Sequence, residues 1–395
     1  MGSGSTSPPH ITTAERRARL GARHYLATSA TDVESVAADL VGLHSSDPAA
    51  VYLATWARVG NFSVDRLEDA LYEQRSLVRM LGMRRTMFVV TRDGAAVMDA
   101  ACTKALIEGQ RRRHAAMIEK SGIAGDGAAF TDRVAAATLE ALEARGEATA
   151  KELSEDVPEL RQKIQFGEGK SWRGSVGLST RVLFLLATEG RIVRGRPKGS
   201  WISSQYRWAP TKAWLGGPLL ELDQDTARVE LLRSWLRGFG PGTEVDVKWW
   251  TGWNLGATRA ALADVGAVEV ELDEGVGYVL EDDLHADPLP EWAALLPGLD
   301  PTTMGWKERG WYLGDYADAL FDRNGNAGPT VWSNGRVVGG WAQRPDGRVV
   351  LELLEPVNGK ARAMIDAKAT ELTEWLDGVV VTPRFRTPLE KRLSS

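Results

Sequence analysis

The chain has 395 residues, 43% hydrophobic and 26% charged, an ordinary globular composition with room for two to three domains and a large core. One cysteine, Cys102, excludes a disulfide framework or thiolate zinc cluster, and five scattered histidines (His10, His24, His44, His114, His285) lack metal-ligand spacing, so no metal or other cofactor is expected. The net charge of −5 hides an asymmetry, because residues 161–215 hold 11 Lys/Arg against two Asp/Glu, a field suited to a phosphate backbone or else a solvated basic face.

In chain order, MGSGSTSPPH offers no apolar run, so residues 1–12 read as a disordered lead, neither signal peptide nor anchor. No apolar run of about 18 residues follows anywhere, so no spanning helix is expected and the reading is a soluble, cytoplasmic protein. AERRARLGARHYLA has a helical pattern, with Leu20, Tyr25 and Leu26 on an apolar stripe and arginines around it. Thr31 and Glu34 have capping-box spacing before VESVAADLVGL. After the break at HSSDP, Asp47 suits a cap and Pro48 a first helical turn for AAVYLATWARV. VDRLEDALYEQ adds a fourth helix, and LVRMLGMRRTMFVV reads as two strands turning near Gly82, like a wing.

That arrangement recurs. Helices fit 130–144, 149–156 and VGLSTRVLFLLATEG, followed by IVRG, the loop RPKGS and WISSQYRWAP as strand, basic turn, strand. A third pass takes 225–237, 244–252 and LGATRAALADVG, then AVEVELDEGVGYVLE as a hairpin turning at Asp273–Gly275. From about 285 the texture changes. Asn334-Gly335 signals a type I′ hairpin and Asp346-Gly347 a second turn, giving three strands in a small sheet or open barrel, closed by the helix ARAMIDAKATELTEWLDG. The expected fold class is α+β, with tandem winged-helix (helix-turn-helix) units at 13–120, 121–218 (basic) and 219–284, then a C-terminal β-barrel or sheet at 285–395.

Four segments invite chemistry. GEGKS at 167–171 resembles a phosphate loop, but Ile164 stands where a Walker motif needs glycine and no strand pattern precedes it, so nucleotide hydrolysis is rejected. The basic loop with Arg194, Arg196, Lys198 and Trp201, together with Arg173 and Arg181, forms a candidate DNA-binding surface, a flexible surface hairpin being the plainer alternative. Trp249 and Trp253, one helical turn apart, read as core packing ahead of base stacking. Between two helices lie His44, Ser45, Ser46 and Asp47, where Asp47 reads first as a helix cap and His44 as a partly buried, hydrogen-bonded imidazole. Adjacent residues cannot fold into a Ser-His-Asp triad.

Taken together, RRARLGARHYLA, VGLHSSDPAAVYLATWARV, LGMRRTMFVV, RVLFLLATEGRIVRG and FDRNGNAGPTVWSNGRVVGGW resemble the AlkZ/YcaQ-like winged-helix family of bacterial DNA glycosylases, azinomycin-resistance type, over most of residues 15–350. The resemblance implies three winged-helix units and a C-terminal β-barrel around a concave DNA channel, with excision of bulky N7-alkylated purines in DNA repair or genotoxin self-resistance. It implies double-stranded DNA, possibly alkylated, as partner; a monomer is expected. The family's motif, Gln-x-Gln, His-x-Gln or Gln-x-Asp, falls on His44-Ser45-Ser46. His44 matches its first position and Ser46 departs at the second. His44, Ser46 and Asp47 are therefore the candidate catalytic residues, with His44 and Asp47 expected to open onto the channel, and Asp47→Asn expected to keep the cap with little change in stability. The alternative is a non-catalytic DNA-binding or regulatory protein of the same fold, on account of Ser46.

Overall fold

Three Thr-x-x-Glu/Asp sequences open helices by reciprocal capping: Thr12 with Glu15 at Thr13–Arg23, Thr149 with Glu152 at Ala150–Asp156, and Thr243 with Asp246 at Glu244–Thr251. A computed structural model describes residues 8–166, 173–286 and 289–395, so the GEGKS segment lies outside the described residues. Contacts divide the chain into two compact units, residues 1–67 with 228–395, and residues 68–227. Both mix helices with small antiparallel sheets.

In residues 68–227, the strands Leu77–Leu81 and Met87–Thr91 pair as a hairpin, as do Ile192–Pro197 and Tyr206–Pro210. Arg79 pairs with Arg194, so these two hairpins, expected in separate units, join into one sheet. Helices Gly127–Arg145, Ala150–Asp156 and Leu178–Thr188 supply Val134, Leu142, Leu153, Val182 and Leu186 to the core. A strand does precede the glycine-rich segment, Lys163–Phe166 pairing with Gly174–Gly177, which corrects the expectation of none. Its Ile164 is fully buried in the core, a further reason that position is not a phosphate-loop glycine.

In the other unit the N-terminal segment departs from expectation. Residues 9–11 are not a free lead: Ile11 donates to Glu271 O and Glu271 to Pro9 O, and the Ile11 side chain packs with Val270, Leu272 and Val279 of the hairpin Ala267–Leu272/Gly275–Leu280. The first helix stops at Arg23, and Tyr25 lies in the left-handed region at φ 56°, off the expected stripe. Its arginines are not a solvated rim. Arg16 and Arg19 are 3% and 4% exposed, held by Glu274 at 2.7 Å and Asp283 at 3.1 Å. The next cap is Asp32, one residue beyond the expected Thr31, and it accepts from Ser35 N.

Four strands form the C-terminal sheet, in the order Ala293–Leu296, Thr330–Ser333, Arg336–Gln343, Val349–Leu353. Asn334 and Gly335, at φ 47° and 80°, make the expected turn. No barrel closes among the described residues: four strands are too few to curl shut, and helix Gly359–Leu376 lies on the sheet, burying Ile365, Leu372 and Leu376. An aromatic column runs from Trp235 through Phe239, Trp306, Trp311 and Tyr312 to Trp332, with centroids 4.8–6.0 Å apart. Of the pair expected in the core, Trp253 is buried but lies beyond the helix end at Thr251, and Trp249 is half-buried under the Arg309 guanidinium; Trp250 between them is buried.

Candidate active site and nucleic-acid interface

Helix Pro48–Trp56 is built from PAAVYLATW, apolar on nearly every face, so it can only be stable when surrounded. Residues Pro48 to Thr55 are all buried. Its C-terminal end is fixed by Arg58, whose guanidinium forks onto Asp300 at 2.7 and 2.8 Å and also reaches Thr302 Oγ1, both ion-pair partners being 0% exposed. Its N-terminal end is fixed by Asp47, which accepts from Ala49 N through Oδ1 at 3.2 Å, the expected cap. The other oxygen accepts from the backbone N–H of Arg384 at 2.8 Å. Burial pushes the Asp47 carboxyl up, against the pull of these two N–H groups and of the Arg384 charge.

The candidate motif sits directly before this rigid helix. Leu43 and Ser45 are fully buried, while Ser46 is half-buried. His44 and Asp47 are each 8% exposed, so neither opens broadly onto a channel nor is sealed away. Asp47 faces a narrow crevice with Pro297, Trp341, Gln343 and Val381. Ser46 N–H donates to His44 Nδ1 at 3.4 Å, which suits a neutral ring with Nδ1 as acceptor. Arg384 brings an exposed guanidinium to the same place, donating to Ser46 O at 3.3 Å. Sequence reasoning missed Arg384, because 337 residues separate it from Asp47 and nothing local marks it.

Two of the other histidines, His24 and His114, serve packing, while His10 and His285 are exposed. His24 is fully buried between Thr302 Oγ1 (2.8 Å) and Gly238 O (3.1 Å), and burial lowers its pKa to about 3. His114 bonds Thr131 Oγ1, and burial with the nearby Arg181 charge lowers it to about 4. Among the described residues no group of three or more His, Cys, Asp or Glu could hold a metal ion, and no helix is long and apolar enough to cross a membrane.

The candidate DNA-binding residues separate by environment. Arg194 and Arg196 lie in the strand Ile192–Pro197 and not in the loop. Arg194 stacks over Tyr206 and Trp208, while Arg196 covers Tyr72 and pairs with Glu68 and Glu73. Trp201 is buried and Arg181 half-buried on its helix. Lys198 and Arg173 are exposed. Beside Lys198 lies a groove of about 400 Å³ lined by Lys151, Arg194, Gln205, Tyr206 and Trp208.

No curated protein matches the sequence. Among solved structures, the Streptomyces sahachiroi DNA glycosylase AlkZ shares the fold, with a TM-score of 0.73 and 19% identity over 92% of this chain and 97% of that one. The family described as DNA glycosylase AlkZ-like matches residues 37–375, which include His44 through Asp47 and the whole aromatic column. The chain belongs to the AlkZ-like DNA glycosylase family.

Proposed function

We propose that the chain excises bulky N7-alkylated purines from double-stranded DNA, with His44, Ser46 and Asp47 at the reacting sugar. The observation that carries this reading is the family match across 37–375, a span that contains residues 44–47. N7 alkylation makes the purine cationic, so the C1′–N9 bond breaks with its electron pair passing to N9, and the base leaves neutral. Water then adds to C1′ of the oxocarbenium-like sugar and loses a proton. His44, as a neutral imidazole, accepts that proton at Nδ1, the nitrogen without hydrogen, and the long 3.4 Å contact from Ser46 N–H gives way as it does so. Ser46 orients the water. Asp47, both of whose oxygens hold backbone N–H groups, supplies fixed negative charge and positions the segment.

The hairpins at 77–91, 192–210 and 267–280, each following helices, support winged-helix units within 13–120, 121–218 and 219–284. The groove lined by Lys151, Arg194 and Lys198 supports a DNA-facing surface; Arg173, Arg181, Arg196 and Trp201 do not line it and belong to the proposed DNA-binding set only through the basic stretch they share. Ser46 favours a second reading, DNA binding without excision. Release of free alkylated base from a defined N7-alkylguanine duplex, followed by chromatography, separates the two. Release supports the glycosylase. Equal affinity for damaged and undamaged duplex with no release, even in Ser46→Gln, supports the binding protein.

A further inference from the structure

Residues 377–387 run between helices Gly359–Leu376 and Pro388–Leu393 without regular secondary structure, yet they are pinned at successive points. Gln343 donates to Val379 O at 2.9 Å and accepts from Val381 N at 2.7 Å. Asp47 then accepts from Arg384 N at 2.8 Å. The backbone of this strap is thereby fixed against the sheet on one side and the candidate motif on the other.

From that anchor the Arg384 side chain reaches back over Ser46, donating to its carbonyl at 3.3 Å while remaining exposed. A guanidinium carries five N–H donors, and one carbonyl contact leaves most of them available. The neighbouring Arg386 differs, since it forks onto Glu390 at 2.8 and 2.9 Å and its charge is spent there. Phe385 flanks the Arg384 guanidinium at 6.0 Å, limiting where it can swing. Asp47 takes the backbone N–H of Arg384.

We propose that Arg384 is the phosphate-binding residue of the candidate site, gripping a phosphodiester next to the nucleotide whose sugar is addressed by residues 44–47. The inference rests on the glycosylase reading above. Every deoxyribose in DNA adjoins a phosphodiester, so a protein segment that reaches C1′ brings a phosphate within side-chain range. A planar, fixed guanidinium suits two phosphate oxygens at once. Arg384 is a positioning residue in this scheme: it holds the backbone while the chemistry occurs at C1′.

The test uses the full chain and a duplex carrying a tetrahydrofuran abasic-site analogue, with affinity measured across salt concentrations. Arg384→Ala is expected to weaken binding on the order of tenfold at low salt and to reduce the log–log salt slope by about one. Arg384→Lys should keep the slope, since the charge remains. Neither variant should shift the unfolding midpoint, because Asp47 is bound through the backbone of residue 384. An unchanged slope in Arg384→Ala, or a lowered midpoint that accounts for the loss, overturns the proposal. Binding of that duplex with the expected slope change, but no release of base from a separate N7-alkylguanine duplex by the wild type, would leave Arg384 as a phosphate contact and sink the glycosylase reading. A wild type that binds no duplex overturns both.

Discussion

Asp47 shows what one residue discloses and what it hides. The Asp-Pro pair announced a capped helix start, and Oδ1 on Ala49 N is that cap. Its second bond, to Arg384 N, joins segments that share no local pattern. It also revises the expectation for Asp47→Asn. An amide offers one acceptor oxygen and turns its NH2 toward the other backbone N–H, so the variant should lose about 1 kcal/mol in urea unfolding, where an unchanged midpoint would contradict the double-acceptor role. The buried arginines 16 and 19 were illegible for a similar reason: their charges read as surface, and Glu274 and Asp283 arrive from far along the chain. His24 gives a pH signature. Its folded pKa of about 3 lies below the unfolded value of 6.5, so the unfolded chain binds a proton first as pH falls. Stability from His24 is complete above pH 6.5 and declines toward pH 3 by about 1.4 kcal/mol per unit. His114 acts in the same direction, while Asp47 and Asp99, raised by burial, act oppositely in the carboxylate range. Unfolding midpoints between pH 7 and 5 should fall for the wild type and flatten in His24→Gln; a parallel slope in that variant would remove His24 as the source.

Elements were legible where turn and cap chemistry is local. Asn334-Gly335 and the hairpin turn after Leu272 sit where their residue types require, and helix Ala150–Asp156 falls on the expected 149–156. Strand Ala293–Leu296 escaped because AALL, buried throughout, has no alternation to separate it from helix. Pairing between elements is a different matter. Nothing in the sequence says that Arg79 meets Arg194, so the two hairpins expected in separate units join into one sheet only in three dimensions. That pairing places Arg194 and Arg196 among aromatic rings and carboxylates and leaves Lys198 outermost. Reversing Lys151 and Lys198 together to glutamate should flatten the salt dependence of DNA binding by about two phosphate contacts without changing stability. Arg196→Glu should instead lower the unfolding midpoint, since it sets a third carboxylate beside Glu68 and Glu73. The opposite pattern, with Arg196 governing the salt slope and the lysines inert, would move the DNA surface elsewhere.

At the scale of the whole chain, net charge pointed away from nucleic acid and the family membership points toward it, because the acidic excess lies outside the basic stretch 161–215. The resemblance read over most of residues 15–350 meets a family match over 37–375, with RRARLGARHYLA outside the matched span. What it could not convey is that the first 67 residues fold with the last part of the chain, so that the candidate motif is completed by residue 384, beyond the span of the matched family. The central claim is that this segment performs base excision, and its most direct test is the single-turnover rate of base release from an N7-alkylguanine duplex by wild type and His44→Ala at equal folded concentration. Release by the wild type, with a loss on the order of 10²–10⁴-fold in His44→Ala at unchanged duplex affinity, is the expected result. A His44→Ala protein that releases base as fast as the wild type would contradict it.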